Sequence, residues 1–179
     1  RKTFGSPSIT QAMILSTGAS LSASLNVVVK KTKFIYQMTQ LPQYEGKFAE
    51  QLQQIENGIY AITDEGIVDL EIPSLMMIDK YKDKIFSCGK KLFVAGALND
   101  KFIQFLKIQK NPQEIEIIIK DFTKIFSNED NTLQYLSKGG KIKVLDKANL
   151  IAITANPISP TGYHFNNEEM LDALRKEIP

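Results

Sequence analysis

An α/β fold built on a mostly parallel sheet is predicted by two observations. From residue 92 onward, short apolar runs alternate with helical patterns, and the runs at 92–95 (LFVA) and 115–119 (IEIII) have almost no polar face. Strands apolar on both sides belong to parallel sheets with helices on both faces. One stretch departs from this pattern: 59–72 reads as a small β-hairpin extension. A single α/β domain over residues 1–179 is expected.

The elements follow in order. Residues 12–16 (AMILS) form a short apolar strand, broken at Thr17-Gly18-Ala19-Ser20. Leu21, Leu25, Val28, Ile35 and Tyr36 then fall near helical spacing, with Lys30, Lys31 and Lys33 largely off that stripe. Ser20 is a candidate N-cap. Leu41-Pro42 ends the helix, because proline restricts the residue before it. Phe48, Leu52 and Ile55 mark a short second helix that stops at Asn57-Gly58. Two β-type runs, 59–63 and 67–72, flank Asp64-Glu65-Gly66, where Gly66 is expected to supply positive φ. Ser74 is placed to cap a helix carrying Leu75, Ile78, Tyr81 and Ile85, closed by Gly89. Beyond strand 92–95, Asn99 or Asp100 caps a helix bearing Phe102, Phe105 and Leu106. Ser127 is placed to cap the helix with Leu133 and Leu136, which Gly139-Gly140 ends. Strands are expected at 142–145 and 151–154, with the 91–95, 114–119 and 150–154 runs in one sheet. Asn166 and Glu169 have capping-box spacing before a last helix.

Composition narrows the function classes. Hydrophobic residues make up 43% and the formal net charge is +2, which argues against a nucleic-acid binder held by a broad basic face. No apolar run approaches the ~20 residues of a membrane span, and no signal peptide is visible. Cys88 is the only cysteine, so a reducing, cytoplasmic setting is expected. His164 is the only histidine, which excludes multi-histidine metal sites built from this sequence. A polar opening through Thr10 without an initiating Met suggests a piece of a longer chain.

In open α/β sheets ligands bind beyond the carboxyl ends of the strands. The segments that follow the expected strands therefore name the candidate ligand-binding residues: Thr17, Gly18, Asn99, Asp100, Asp121, Lys124 and Asn156. Thr17-Gly18-Ala19-Ser20 could present backbone N–H groups to an anion; an ordinary strand-to-helix turn accounts for it as well. Asn99 and Asp100 could hold a hydroxyl or metal, or simply cap a helix. Asp121 and Lys124 could pair at a strand end, or lie in a solvated loop. Two prolines and Gly162 stiffen the 156–163 segment, which could shape a pocket or serve as a crossover. No catalytic residue and no metal site is assigned: His164 has no evident partner, and Cys88 has no activating neighbour.

Several strings taken together resemble one family. Arg1-Lys2-Thr3-Phe4-Gly5-Ser6-Pro7-Ser8-Ile9-Thr10, Ile14-Leu15-Ser16-Thr17-Gly18-Ala19-Ser20-Leu21-Ser22, Gly96-Ala97-Leu98-Asn99-Asp100 and Asn156-Pro157-Ile158-Ser159-Pro160-Thr161-Gly162-Tyr163 are similar to the C-terminal portion of the smaller, P-loop-containing subunit of the lysine 5,6-aminomutase reactivase family. The resemblance implies a regulatory or interaction domain of a nucleotide-dependent reactivase, serving an adenosylcobalamin-dependent aminomutase. Its implied partners are an ATPase subunit and the aminomutase, with no nucleic acid and no membrane. ATP and Mg are implied for a preceding part and no cofactor for these residues. A small-molecule-binding α/β domain or enzyme using the strand-end loops is the alternative. Neither G-x-x-x-x-G-K-[ST] nor G-x-G-x-x-G occurs in the 179 residues. These residues alone should therefore give no heat of micromolar binding when titrated calorimetrically with Mg-ATP.

Overall fold

The computed structural model describes residues 13–16, 25–108, 114–158 and 164–178. They group into two compact units, one formed by residues 1–40 with 148–179 and the other by residues 41–147. The α/β class predicted from the alternating pattern is what the chain adopts.

The 41–147 unit is organised by a five-stranded sheet of order β3–β2–β4–β5–β6. Strand β4 (Lys91–Val94) pairs in parallel with β5 (Glu116–Ile119), and β5 with β6 (Lys141–Val144). Strand β2 (Ile59–Ile62) runs antiparallel to both β4 and its hairpin partner β3 (Ile67–Asp69). Leu92, Phe93, Ile117, Ile118 and Ile119 have no exposed surface, so the apolar strand sequences reflect burial on both sides. Fully burying side chains of this size contributes about 1.5–3 kcal/mol each.

Alternation along the strands sorts the two faces. Phe93, Ala95, Ile118 and Leu145 gather with Ile62, Tyr44 and Leu52, the last from the short helix α2 (Ala49–Gln54). Leu92, Val94, Ile117, Ile119, Ile142 and Val144 point the other way and are equally buried. The crossover helices α4 (Asp100–Lys107) and α5 (Glu129–Ser137) join consecutive parallel neighbours and pack on each other. Right-handed connections between strands in sequential order place both helices on one side. The opposite face receives α2 and the 41–48 segment; the full helical layer expected there is not seen among the described residues. A 3-10 turn (Leu75–Tyr81) leads into α3 (Lys82–Ser87) and adds Ile78 and Ile85 to the core.

The other unit carries a two-stranded parallel pair, β1 (Met13–Ser16) with β7 (Ile153–Asn156). It also holds the packed helices α1 (Leu25–Thr39) and α6 (Asn167–Glu177). Lys33 of α1 and Glu177 of α6 form an ion pair at 2.5 Å, and the Lys33 ammonium holds the Glu177 carboxyl below its usual range. Both side chains are about half exposed, so the pair contributes little to stability.

Four local expectations are corrected. The 150–154 run does not join the central sheet. Its strand begins at Ile153 and pairs with β1, while Ile151 is 68% exposed; an apolar run specifies a strand but not its partner. Ser127 is not the cap of α5, because its buried hydroxyl turns inward to the Thr132 hydroxyl. Asn128 caps instead, its side-chain oxygen accepting the Asp130 N–H at 2.9 Å. Gly66 is not in the left-handed region, which Gly58, Gly89 and Gly139 occupy. The hairpin turn is closed by Thr63, whose N–H reaches the Gly66 carbonyl at 2.9 Å and whose hydroxyl accepts the Gly66 N–H at 3.1 Å. On α1 Val28 of the expected stripe is buried, but Thr32, Phe34, Met38 and Thr39 are buried with it in place of Ile35 and Tyr36. Ser20, the expected cap, lies outside the described residues.

Tyr135 of α5 locks the helix to the sheet. Its ring has no exposed surface, and its hydroxyl donates to the Ile115 carbonyl at 3.3 Å. Gly140 lies directly against the ring: a Cβ there would sit 2.5 Å from ring carbons. Burial pushes the Tyr135 phenol up to about 12, partly opposed by a hydrogen bond from the Lys141 backbone. The neutral form is therefore favoured in the fold. Its stabilisation is complete below the unfolded value of 10.0 and is lost as pH rises from there towards 12. At most about 3 kcal/mol is involved. Urea titrations between pH 9 and 12 should show the wild type losing stability more steeply than Tyr135→Phe, with the two curves converging as pH rises.

Candidate functional site

Four of the seven strand-end residues lie at the carboxyl edge of β4 and β5. Backbone bonds bring their two loops together: the Leu98 N–H reaches the Lys124 carbonyl at 2.7 Å, and the Phe126 N–H reaches the Leu98 carbonyl at 2.9 Å. Leu98 and Ile125 thus form an isolated parallel bridge beyond the strands. Asn99, Asp100, Asp121 and Lys124 share one rim because of it. Asn156 belongs to the other unit, where its side-chain oxygen accepts the Ile158 N–H at 3.0 Å. Thr17 and Gly18 lie outside the described residues.

The polar groups on this rim are engaged by the chain itself. Asn99 caps α4, its side-chain oxygen accepting the Phe102 N–H at 3.0 Å. Asp100, in the first turn of α4, also serves α5: one carboxylate oxygen accepts the Asn128 N–H at 2.7 Å and the Asn131 amide at 2.9 Å. A negative charge suits that helix start, which has its own Glu129 and Asp130. Asp121 accepts the Thr123 N–H at 2.8 Å and also the Thr123 hydroxyl. It is spent on a 3-10 turn (Phe122–Lys124) rather than on the Lys124 ammonium. Among the described residues no group of three or more histidine, cysteine, aspartate or glutamate side chains is arranged to hold a metal.

A different feature lies at the amino edge of the parallel strands. The register pairing of β2 with β4 ends at Ala61 and Leu92, and a groove of about 560 Å³ lies between the hairpin turn and the start of β4. Tyr44, Phe48 and Ile62 give it an aromatic and apolar surface, while Lys47, Lys90 and Lys91 supply charge. Chain geometry makes the opening. Gly89 at φ +132 turns α3 into β4, a conformation that L side chains rarely adopt. Gly46 leaves room for the Tyr44 ring, which a Cβ there would meet. The Lys47 ammonium donates to the Asp64 carbonyl and lies 4.7 Å from the Phe48 ring centre.

Behind the groove the sheet surface is charged. Lys91, Glu116 and Lys141 are register partners across β4, β5 and β6. Lys143 binds one Glu116 oxygen at 3.0 Å; the other oxygen is buried without a hydrogen-bond partner. Burial raises the Tyr44 phenol above its ordinary value and the Glu116 charge adds to this, opposed by Lys143. Tyr44 thus remains a neutral hydroxyl donor at physiological pH.

Sequence reasoning directed attention to the carboxyl edge and passed over this groove. The available signals were two glycine–lysine steps, Gly46-Lys47 and Gly89-Lys90-Lys91, the second preceding the apolar LFVA run. No family model, curated protein or solved structure matches the chain at a significant level.

The double role of Asp100 can be measured. Asp100→Ala should lower stability by about 1–2 kcal/mol, because the α5 start and Asn131 lose a charged acceptor together. Asp100→Asn, which keeps an oxygen at that point, should cost less. Urea midpoints of the two variants give the comparison.

Proposed function

We propose that this chain is a regulatory or interaction domain of a nucleotide-dependent reactivase for an adenosylcobalamin-dependent aminomutase, working in the cytoplasm. What carries the reading is the set of resembling strings, above all Gly96-Ala97-Leu98-Asn99-Asp100. The geometry supports a non-catalytic role for that string: Leu98 joins two loops, Asn99 caps one helix and Asp100 holds the next. A rim stiffened in this way suits a docking or transmission surface better than a site that must meet a changing substrate. ATP and Mg would be bound elsewhere, by a partner ATPase subunit or a preceding part of the same chain. Nucleotide turnover there would promote release of damaged cobalamin from the mutase.

The alternative, a small-molecule-binding α/β domain, is favoured by one observation, the amino-edge groove with its aromatic surface and lysines.

The reactivase reading is tested with the mutase loaded with an inactive cobalamin. Corrin absorbance in the filtrate reports release. Release should rise several-fold when the full-length protein, its ATPase partner and Mg-ATP are all present, and fall to the background rate when this protein is omitted. Equal release with and without it would defeat the proposal.

A further inference from the structure

The amino-edge groove holds more hydrogen-bond donors than the fold consumes. Tyr44 is only 6% exposed, yet its hydroxyl has no hydrogen-bond partner among the described residues. Lys90 and Lys91 are exposed and likewise make no ion pair among them; Glu116, the register partner of Lys91, is bound by Lys143 instead. Asp64 is the sole carboxylate in the groove lining, against three lysines. The groove therefore combines excess positive charge, one sheltered neutral donor and an apolar wall.

We infer that this groove binds a small organic anion, an apolar or aromatic body bearing a carboxylate or phosphate, with Lys90 and Lys91 holding the anionic end and Tyr44, Phe48 and Ile62 receiving the body. The volume of about 560 Å³ falls among small-molecule sites, which join apolar walls to a few placed polar groups. Glu116 fixes the orientation. One of its oxygens is buried without a hydrogen-bond partner and its charge is felt at Tyr44, so an anionic end is repelled from the interior and settles at the Lys90–Lys91 mouth. The Tyr44 hydroxyl then donates to an acceptor on the body, an arrangement that inorganic ions cannot reproduce. Lys47 closes one side from its position over Phe48.

The experiment is a titration of the isotopically labelled 1–179 chain, followed through backbone amide resonances, with phenyl phosphate, benzoate and inorganic phosphate as separate probes. At least one aromatic anion should give saturable shifts in the sub-millimolar to millimolar range at Gly46, Gly89, Lys90 and Lys91. The tighter of the two identifies the head group. Inorganic phosphate should bind more weakly than that probe, because it lacks the body. Replacing both Lys90→Gln and Lys91→Gln should weaken binding by at least about tenfold, since charge-assisted bonds are lost. Tyr44→Phe, which keeps the ring in the core, should weaken it less while the spectrum elsewhere stays unchanged. Absence of saturable shifts with both aromatic probes would overturn the inference. So would inorganic phosphate binding as tightly as they do, or undiminished affinity in the double lysine variant. None of these outcomes depends on a mutase or on nucleotide, so the groove stands or falls apart from the reactivase reading.

Discussion

The parallel pairing of β4 with β5 is the constraint on which the 41–147 unit rests. Leu92, Phe93 and Ile117–Ile119 have no exposed surface, so backbone groups beside them have no water to turn to. Each strand must be matched on both sides, by β2 and β5 for β4 and by β4 and β6 for β5. The register that meets this demand also sets the chemistry at the sheet ends. It aligns Lys91, Glu116 and Lys141 in one row at the amino edge and carries Leu98 alongside Ile125 at the carboxyl edge.

The fold was legible where periodicity and capping act within a few residues. The apolar runs at 92–95 and 115–119, the 59–72 hairpin and the Asn99 and Asn166 caps are decided by local pattern, and each is found where expected, although the second hairpin strand ends at Asp69, three residues early. Partner choice was not legible. Nothing in ITAN says that Ile153–Asn156 pairs with Met13–Ser16, because a short strand pattern carries no mark of its partner. Side-chain competition was equally hidden. Ser127 and Asn128 are both good caps by type, and the choice between them depends on Thr132, whose hydroxyl draws Ser127 into the interior.

The candidate residues illustrate a general ambiguity of strand-end loops. The residue types that orient ligands there are also the types that cap helices, since both tasks need a short side chain with a well-placed oxygen. Asn99, Asp100 and Asp121 each spend an oxygen on backbone N–H groups of the chain. Tyr44, Lys90 and Lys91 were invisible for the opposite reason. A tyrosine following Leu41-Pro42-Gln43 and a lysine pair before a strand look like ordinary surface until the fold gathers them with Phe48 and Ile62 around one groove.

The bridge between Leu98 and Ile125 sets the lengths that these two loops can have. Strand-to-helix loops commonly tolerate insertions because they touch nothing but solvent. Here the two loops share a short ladder, with bonds of 2.7 and 2.9 Å on either side of Leu98. An added residue before Leu98 or before Ile125 would shift one loop by a full step against the other and leave Leu98, a wholly buried side chain, on the wrong side of the chain. Sequence drift in loop length is thereby directed away from the carboxyl rim of this unit.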